Sequence, residues 1–402
     1  MSSVTLSPRG EQRLRSGHPW IYRADVIDVD AQAGEIVQVL GVGKGPPKGG
    51  HYDRPAKGGP HLLGYALFSD QSQIPIRMLT RGEAPADEGL IRARISAAIM
   101  MREDLGLEAT AYRLVHGEAD LLPSLIVDRY GDYLVVQALS QGMDRLTPVI
   151  VNHLVETLNP KGILARNDPK VRALEGLPQA VEVLHGEIPD SVVVHEGPVE
   201  YDVDLRRGQK TGLFLDQREN RDAAARYAGG RLLDCFSYHG GFALRLASQC
   251  PDTEALDVSA DAVARIKANA IRNGVPHIAA REVNVFDELR RLEKAGAQYD
   301  TIVLDPPAFA KNKASVPNAV AGYKEINLRA MRLLSPGGHL ITCSCSYNVN
   351  EALFGDVIHE ASADSRVPMA IVEKRMQGRD HPVLVGVPET YYLKCFILRR
   401  VE

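Results

Sequence analysis

No stretch of this chain approaches the roughly 20 consecutive apolar residues that a membrane span needs, and its opening segment, Met1 to Arg15, is polar and lacks the apolar core of a secretory leader. Cysteine is sparse. The five present (235, 250, 343, 345 and 395) form no Cys-x-x-Cys pair and no metal-ligand spacing with histidine. That argues against structural zinc and against a disulfide framework, and it points to a reducing, cytoplasmic setting. A basic excess is missing too: the formal net charge is −4. Recognition of a nucleic acid would therefore need a local basic face rather than an overall basic chain. Tryptophan occurs once, as Trp20 within Ser16–Tyr22, where the ring is expected to be core. What remains is an ordinary soluble composition, 45% hydrophobic and 24% charged over 402 residues, enough for two or three cores.

Three regions follow one another. Residues 1–82 read as short strands and turns, with strand candidates at 35–40, 62–68 and 74–79; this small β module resembles a PUA domain, a compact RNA-binding barrel. Between the first two candidates, 43–60 is dense in Gly, Pro and Lys and reads as a mobile hairpin extension. Residues 83–195 form a central α+β unit. Its first helix, 89–105, sets Ile91, Ile95, Ile99 and Met100 on one side. Arg102, Arg113 and Arg129 are read there as solvated arginines, with RNA contact as the alternative. Residues 196–402 alternate strand and helix: strands near 231–236, 255–257, 281–285, 300–305 and 339–345, then a terminal antiparallel pair. The pattern predicts a mostly parallel, seven-stranded Rossmann-like sheet of the class I methyltransferase type.

Two strand ends of that region carry the chemistry. Asp305-Pro306-Pro307-Ala308-Phe309 and Thr342-Cys343-Ser344-Cys345-Ser346 both follow short β-type runs, so both fall at the carboxyl edge of the sheet, where open α/β folds bind their ligands. A carboxylate fixed by two prolines suits the donor edge of a flipped base, and Phe309 can stack on it. Cys343 and Cys345 share one face of an extended strand. Cys345, nearer the loop, is read as the nucleophile and Cys343 as packing. Cys235, Cys250 and Cys395 are read as structural. Nucleophilic attack implies a local positive potential to lower the thiol's pKa.

Cofactor candidates come in chain order. Asp234, Phe236 and Gly240 lie in a Gly-bearing turn, Asp257 ends the next strand and can accept both ribose hydroxyls, and Asn284-Val285-Phe286 follows the third strand as an adenine contact. The set predicts S-adenosylmethionine, with a nicotinamide cofactor as the rival. Gly208–Arg221 adds Phe214 and Gln217 on the cofactor side; Lys210 and Arg218 join Pro306, Pro307 and Phe309 on the substrate side. Asp305 serves both.

With these segments in place, the chain resembles the PUA-containing bacterial 23S rRNA cytosine-5 methyltransferases. Gly208–Arg221, Leu232–Gly241, Asp305–Phe309, Gly322–Asn327, Ser344–Ser346, and Asp380-His381-Pro382 with Tyr392-Leu393-Lys394 carry the likeness, as do Arg113–Asp120 and Leu125–Tyr130 in the central unit. The resemblance implies a PUA barrel, a central α+β domain of EEHEE type and a Rossmann-like catalytic domain, in a cytoplasmic protein that is often a homodimer. It implies 23S rRNA, naked or in a large-subunit precursor, as partner, and no membrane or metal. It places the nucleophile on Cys345 and the cytosine-binding carboxylate on Asp305. Ser124 stands where glycine is common, Asn284 where an acidic residue is frequent, and Pro307-Ala308 where many relatives carry a second cysteine. Two rival functions are a guanine N-methyltransferase of the same fold, which needs no thiol, and a non-catalytic RNA-binding assembly factor.

Overall fold

A computed structural model describes residues 2–42 and 60–402. The stretch read as a hairpin extension, 43–60, lies outside the described residues except for Pro60. The first region folds as a six-stranded sheet, with strands Ser3–Leu6, Trp20–Ile21, Val26–Asp30, Ile36–Gly41, His61–Phe68 and Ile76–Arg81. Alternation in Ile36–Gly41 sends Val37 and Val39 into its own small core with Val4, Leu6 and Ile21. Trp20 departs from its expected place. It is half-buried, and its indole N–H donates to Glu118 Oε1 at 3.1 Å, tying the first sheet to the central unit. A lone indole with one polar atom suits a seam better than a small core.

A five-stranded sheet forms the central unit, ordered Ala180–Gly186, Gly162–Asn167, Tyr133–Ala138, Leu125–Tyr130, Ala111–His116. The helix Glu88–Asp104 covers it with Ile91, Ile95 and Ile99, whereas Met100 points outward and is 61% exposed. Arg102 and Arg113 are neither solvated nor free for RNA. Arg102 is fully buried and bidentate to Asp120 at 2.6 and 2.8 Å, with a third bond to the Asp380 carbonyl at 2.9 Å. Arg113 pairs with buried Asp128 at 2.8 and 2.9 Å. Arg129 is half-buried and donates to the Gly131 carbonyl. Apolar periodicity marks buried aliphatics but says nothing about which arginine is sealed in with a carboxylate. Arg102→Met strands Asp120 without its counter-charge and frees the Asp380 carbonyl. We expect it to lower stability by about 3–5 kcal/mol, read as a shift of the urea midpoint.

A hairpin, Val192–Glu196 with Val199–Val203, spans residues 195 and 196. Its Val194, Val199 and Tyr201 share one core with Tyr130 of the central unit and with Leu244 and Ile266 beyond. The two units are therefore packed through common apolar surface.

The last region is a seven-stranded sheet: β1 (Arg231–Cys235), β2 (Asp252–Asp257), β3 (Ala279–Glu282), β4 (Tyr299–Leu304), β5 (Leu334–Ser344), β6 (Met369–Arg375) and β7 (Lys394–Arg400), in the order β3-β2-β1-β4-β5-β7-β6. The strands β1 to β5 run parallel; β7 is antiparallel to both neighbours. Helices cover the sheet, so β4 and β5 are buried on both faces and read as continuous apolar runs. The order reverses between β1 and β4, and that switch point opens the crevice in which the candidate residues gather. Among the described residues no helix is long and apolar enough to cross a membrane, and no group of three or more His, Cys, Asp or Glu side chains could hold a metal ion.

Candidate active site

A cavity of about 350 Å³ lies over the carboxyl ends of β1, β2 and β4. It is large enough for a nucleoside-sized ligand. Of the residues singled out in the sequence, Lys210, Phe214, Gln217, Asp234, Phe236, Asp257, Asn284, Val285, Phe286, Asp305, Pro306, Pro307, Phe309 and Cys345 all line it. Gly240 and Arg218 do not.

At one end the backbone turns sharply after β1. Phe236 (φ 64°) and Tyr238 (φ 52°) both adopt the left-handed region that side chains avoid, as does Gly240 (φ 84°), which begins the helix Gly241–Leu246. Asp234 Oδ2 accepts from Ser237 Oγ at 2.5 Å and from the Ala243 N–H at 3.0 Å; Oδ1 is buried with no partner among the described residues. Burial pushes this carboxyl up to about 7. Arg221 donates to Glu196 at 2.6 and 2.7 Å and to the Phe214 carbonyl at 2.6 Å, but its Nε is likewise buried and unpartnered. It lies against Gly241, where a Cβ would come within 2.7 Å of that nitrogen. An orphaned acceptor and an orphaned cationic donor at one end of a cavity fit the ammonium and carboxylate of an amino acid.

In the middle, Asp257 Oδ2 accepts from the Tyr238 N–H and Oδ1 from the Ser259 N–H, both at 2.9 Å, which fixes the carboxylate facing the cavity. Each oxygen keeps acceptor capacity for a diol. Asn284 lines the wall, yet its Oδ1 caps the next helix by accepting from the Phe286 and Asp287 N–H groups at 2.9 and 3.4 Å. The side chain expected at an adenine is thus engaged locally, and its neighbours Val285 and Phe286 supply the apolar wall.

Beside the β1 turn, across the β1–β4 pair, stand the two loops after β4 and β5. Leu304 pairs with Thr342, so Asp305 and Cys345 leave neighbouring parallel strands. Asp305 is half-buried and accepts from Gln217 Nε2 at 2.8 Å; desolvation, aided by nearby Asp216, raises its carboxyl to about 6. The Cys345 Sγ lies 3.7 Å from the Pro306 carbonyl. Ser346 fastens the loops together, accepting from the Ala310 N–H at 3.1 Å and sharing a hydrogen bond with Tyr323 at 2.9 Å. Phe309 packs 4.7 Å from the Tyr323 ring and 5.9 Å from Phe286. Gly322 lets it approach, since a Cβ there would stand 3.3 Å from the Phe309 ring. The Gly322-Tyr323 segment therefore acts through packing behind the cavity.

Cys345 is half-buried, whereas the other four cysteines are fully buried. Cys343 faces Cys395 across the β5–β7 pair and packs in the core. The electrostatics differ from the expected positive potential. Burial drives the Cys345 thiol up to about 11; Lys210 and Lys394 pull it down, while Asp305 and Asp216 push it further up. Arg218 is the clearest departure: it is 4% exposed and bound to Asp380 at 2.9 Å, so it holds the fold rather than a substrate. Sequence spacing could not separate it from Lys210. Residues that reading passed over also line the cavity, notably Arg221, Tyr238, His239 and Leu393. All four fall within segments that carry the resemblance, but no spacing singled them out there.

The model of the S-adenosylmethionine-dependent methyltransferase family matches residues 172–399, and that of a PUA-like domain matches residues 4–45. The chain is 38% identical over 407 aligned positions to the ribosomal RNA large subunit methyltransferase I of Shewanella frigidimarina, covering 98% of each chain. It is 37% identical to the protein of the same name from Vibrio cholerae, again covering 98% of each. Among solved structures, SMU.776, described as a methyltransferase and complexed with SAH, aligns over 99% of this chain and 100% of its own, with a TM-score of 0.82 at 20% identity. A SAM-dependent methyltransferase structure from Streptococcus mutans aligns over the same shares with a TM-score of 0.80. At that identity these structures bear on the fold alone.

Proposed function

The chain belongs to the S-adenosylmethionine-dependent family of the ribosomal RNA large subunit methyltransferases I, and from that premise we propose that it forms 5-methylcytosine in 23S ribosomal RNA through a covalent adduct between Cys345 and the base. One observation carries the reading: a half-buried cysteine and a half-buried carboxylate leave adjacent strand ends into one cavity. Methyl transfer to a ring nitrogen needs no thiol, whereas carbon 5 of cytosine is too weakly nucleophilic until a nucleophile adds at carbon 6.

The cytosine turns out of its RNA context and enters between the two loops. In the neutral range Asp305 is ionised and Cys345 protonated, because burial holds the first at about 6 and the second at about 11. The thiol proton passes by way of Asp305 to ring N3, sulfur bonds to carbon 6, and carbon 5 gains the electron density of an enamine. When bound, S-adenosylmethionine would supply the electrophilic methyl group; Asp234 and Arg221 would hold its amino-acid end and Asp257 its ribose. Loss of the carbon 5 proton to water then expels the sulfur as thiolate, and the N3 proton returns by way of Asp305 to that thiolate, which restores the neutral aromatic ring and the resting thiol. Asp305 also receives the exocyclic amino group, and Pro306 and Pro307 keep the carboxylate pointed at it. Two residues beyond Cys345, Tyr347 is 41% exposed and offers a ring on which a neighbouring base can stack.

Transfer of labelled methyl from S-adenosylmethionine to unmodified 23S rRNA, followed by digestion to nucleosides, tests the reading. Label is expected in 5-methylcytidine. Label in a methylguanosine overturns the proposed chemistry and leaves the family intact.

A further inference from the structure

Lys210 was placed among the RNA contacts by its position in a polar segment, but its surroundings point inward. Its backbone sits in the left-handed region (φ 53°), a conformation that costs a residue with a side chain free energy and that recurs at functional sites. Its ammonium lies 2.8 Å from Asp216 Oδ2 and 4.4 Å from the centroid of the Phe214 ring. The anchor is itself fixed: Asp216 is buried, and the same oxygen accepts from Tyr392 Oη at 2.7 Å. Lysines that meet phosphates are mobile point charges. This one is tethered into the cavity it shares with Cys345.

Four charged groups face the nucleophile. Asp305 and Asp216 oppose ionisation of the thiol, and Lys210 and Lys394 favour it, Lys210 the more strongly. Lys394 cannot move to help. It is 1% exposed, donates to the Ser346 and Tyr392 carbonyls at 2.8 Å, and is lowered to about 8 by burial while facing Glu351. Lys210 has 41% of its side chain exposed and a single carboxylate partner. Asp216 is in turn held well below the usual carboxylate range, against its own burial, by Lys210, His381 and the Tyr392 hydroxyl. It stays anionic and holds the lysine by its charge.

We infer that Lys210 is a positioning residue for the nucleophile: the ammonium that Asp216 and Tyr392 hold in the cavity is the counter-charge of the Cys345 thiolate. The inference rests on Cys345 being the nucleophile. When the S–H bond breaks, the proton leaves through Asp305 to N3 of the base, and Lys210 keeps all three of its own.

The test uses the full-length enzyme without RNA. Iodoacetamide reacts with thiolate, so below the thiol's pKa the alkylation rate at Cys345 reports the thiolate fraction, with Cys345→Ala giving the background from the other cysteines. Lys210→Met is expected to slow alkylation at pH 8 about tenfold, one pH unit in the titration. Lys210→Arg, which keeps the charge, should stay within about threefold. In turnover, Lys210→Met should lower kcat and leave the KM for RNA nearly unchanged. Unchanged alkylation with a raised KM and a salt dependence of binding shallower by about 0.7 would make Lys210 a phosphate contact and overturn the inference. An unfolded Lys210→Met protein is told apart by its thermal melt, and the comparison then rests on Lys210→Gln. Failure of the underlying reading looks different: Cys345→Ala would retain methyl transfer, whatever the alkylation rates.

Discussion

Cys345→Ala is expected to reduce methyl transfer at least about 10³-fold, to the limit of detection, while S-adenosylmethionine binds within a few-fold of wild type. The magnitude follows from the role. A nucleophile that divides a difficult step into two easier ones is not replaced by positioning alone, and its loss removes the pathway. The cofactor should be indifferent, because Cys345 is not among the groups facing its amino-acid and ribose parts, Asp234, Arg221 and Asp257. Cys343→Ala offers the control. That thiol is fully buried against Cys395 and takes no part in the cavity, so its removal costs packing and not chemistry. Steady-state rates with both variants, paired with calorimetric cofactor titrations, separate the two effects.

Asp305→Asn is expected to lower kcat by about 10²–10⁴-fold, the usual worth of a general acid, with a much smaller change in KM. An amide can still accept from the exocyclic amino group of cytosine and donate to N3, and it can keep the bond from Gln217. It cannot deliver a proton. The pH profile gives the sharper signature. In the wild type the reactive arrangement, acid at Asp305 and thiolate at Cys345, carries the same number of protons as the resting one. The rate is therefore flat between about 6 and about 11 and falls tenfold per unit below about 6, where a second proton binds. In Asp305→Asn only the thiol titrates, so log kcat should rise with unit slope from neutrality and level off below about 11, because the carboxylate that pushed the thiol up is gone. A variant as flat as the wild type would remove Asp305 from the proton path.

The catalytic sheet and its two chemical loops were legible because each depends on local pattern. Continuous apolar runs marked β4 and β5, and the residues immediately after them, Asp305 and Cys345, had to fall at the carboxyl edge. Asp234 and Asp257 were legible for the same reason, as ends of β1 and β2. What could not be read was which polar side chains are sealed inside. Arg102, Arg113, Arg218 and Lys394 look like surface residues in sequence, and each is buried or half-buried against a partner on another element: Asp120 and the Asp380 carbonyl, Asp128, Asp380, and the Ser346 carbonyl. Trp20 was misplaced because its hydrogen-bond partner, Glu118, belongs to another unit. The thiol's acidity was misjudged for a related reason. A nucleophilic role implies a positive potential that lowers the pKa, but burial and two carboxylates outweigh the two lysines present.

The central claim is the covalent step, and a trapping experiment tests it most directly. In RNA carrying 5-fluorocytidine at the target, fluorine replaces the proton whose loss releases the sulfur, so an adduct once methylated persists. Incubation with S-adenosylmethionine should give a denaturation-resistant enzyme–RNA complex whose cross-linked peptide contains Cys345, and Cys345→Ala should give none. An uncross-linked wild-type enzyme that still methylates ordinary RNA at carbon 5, or a complex that survives in Cys345→Ala, would contradict the account.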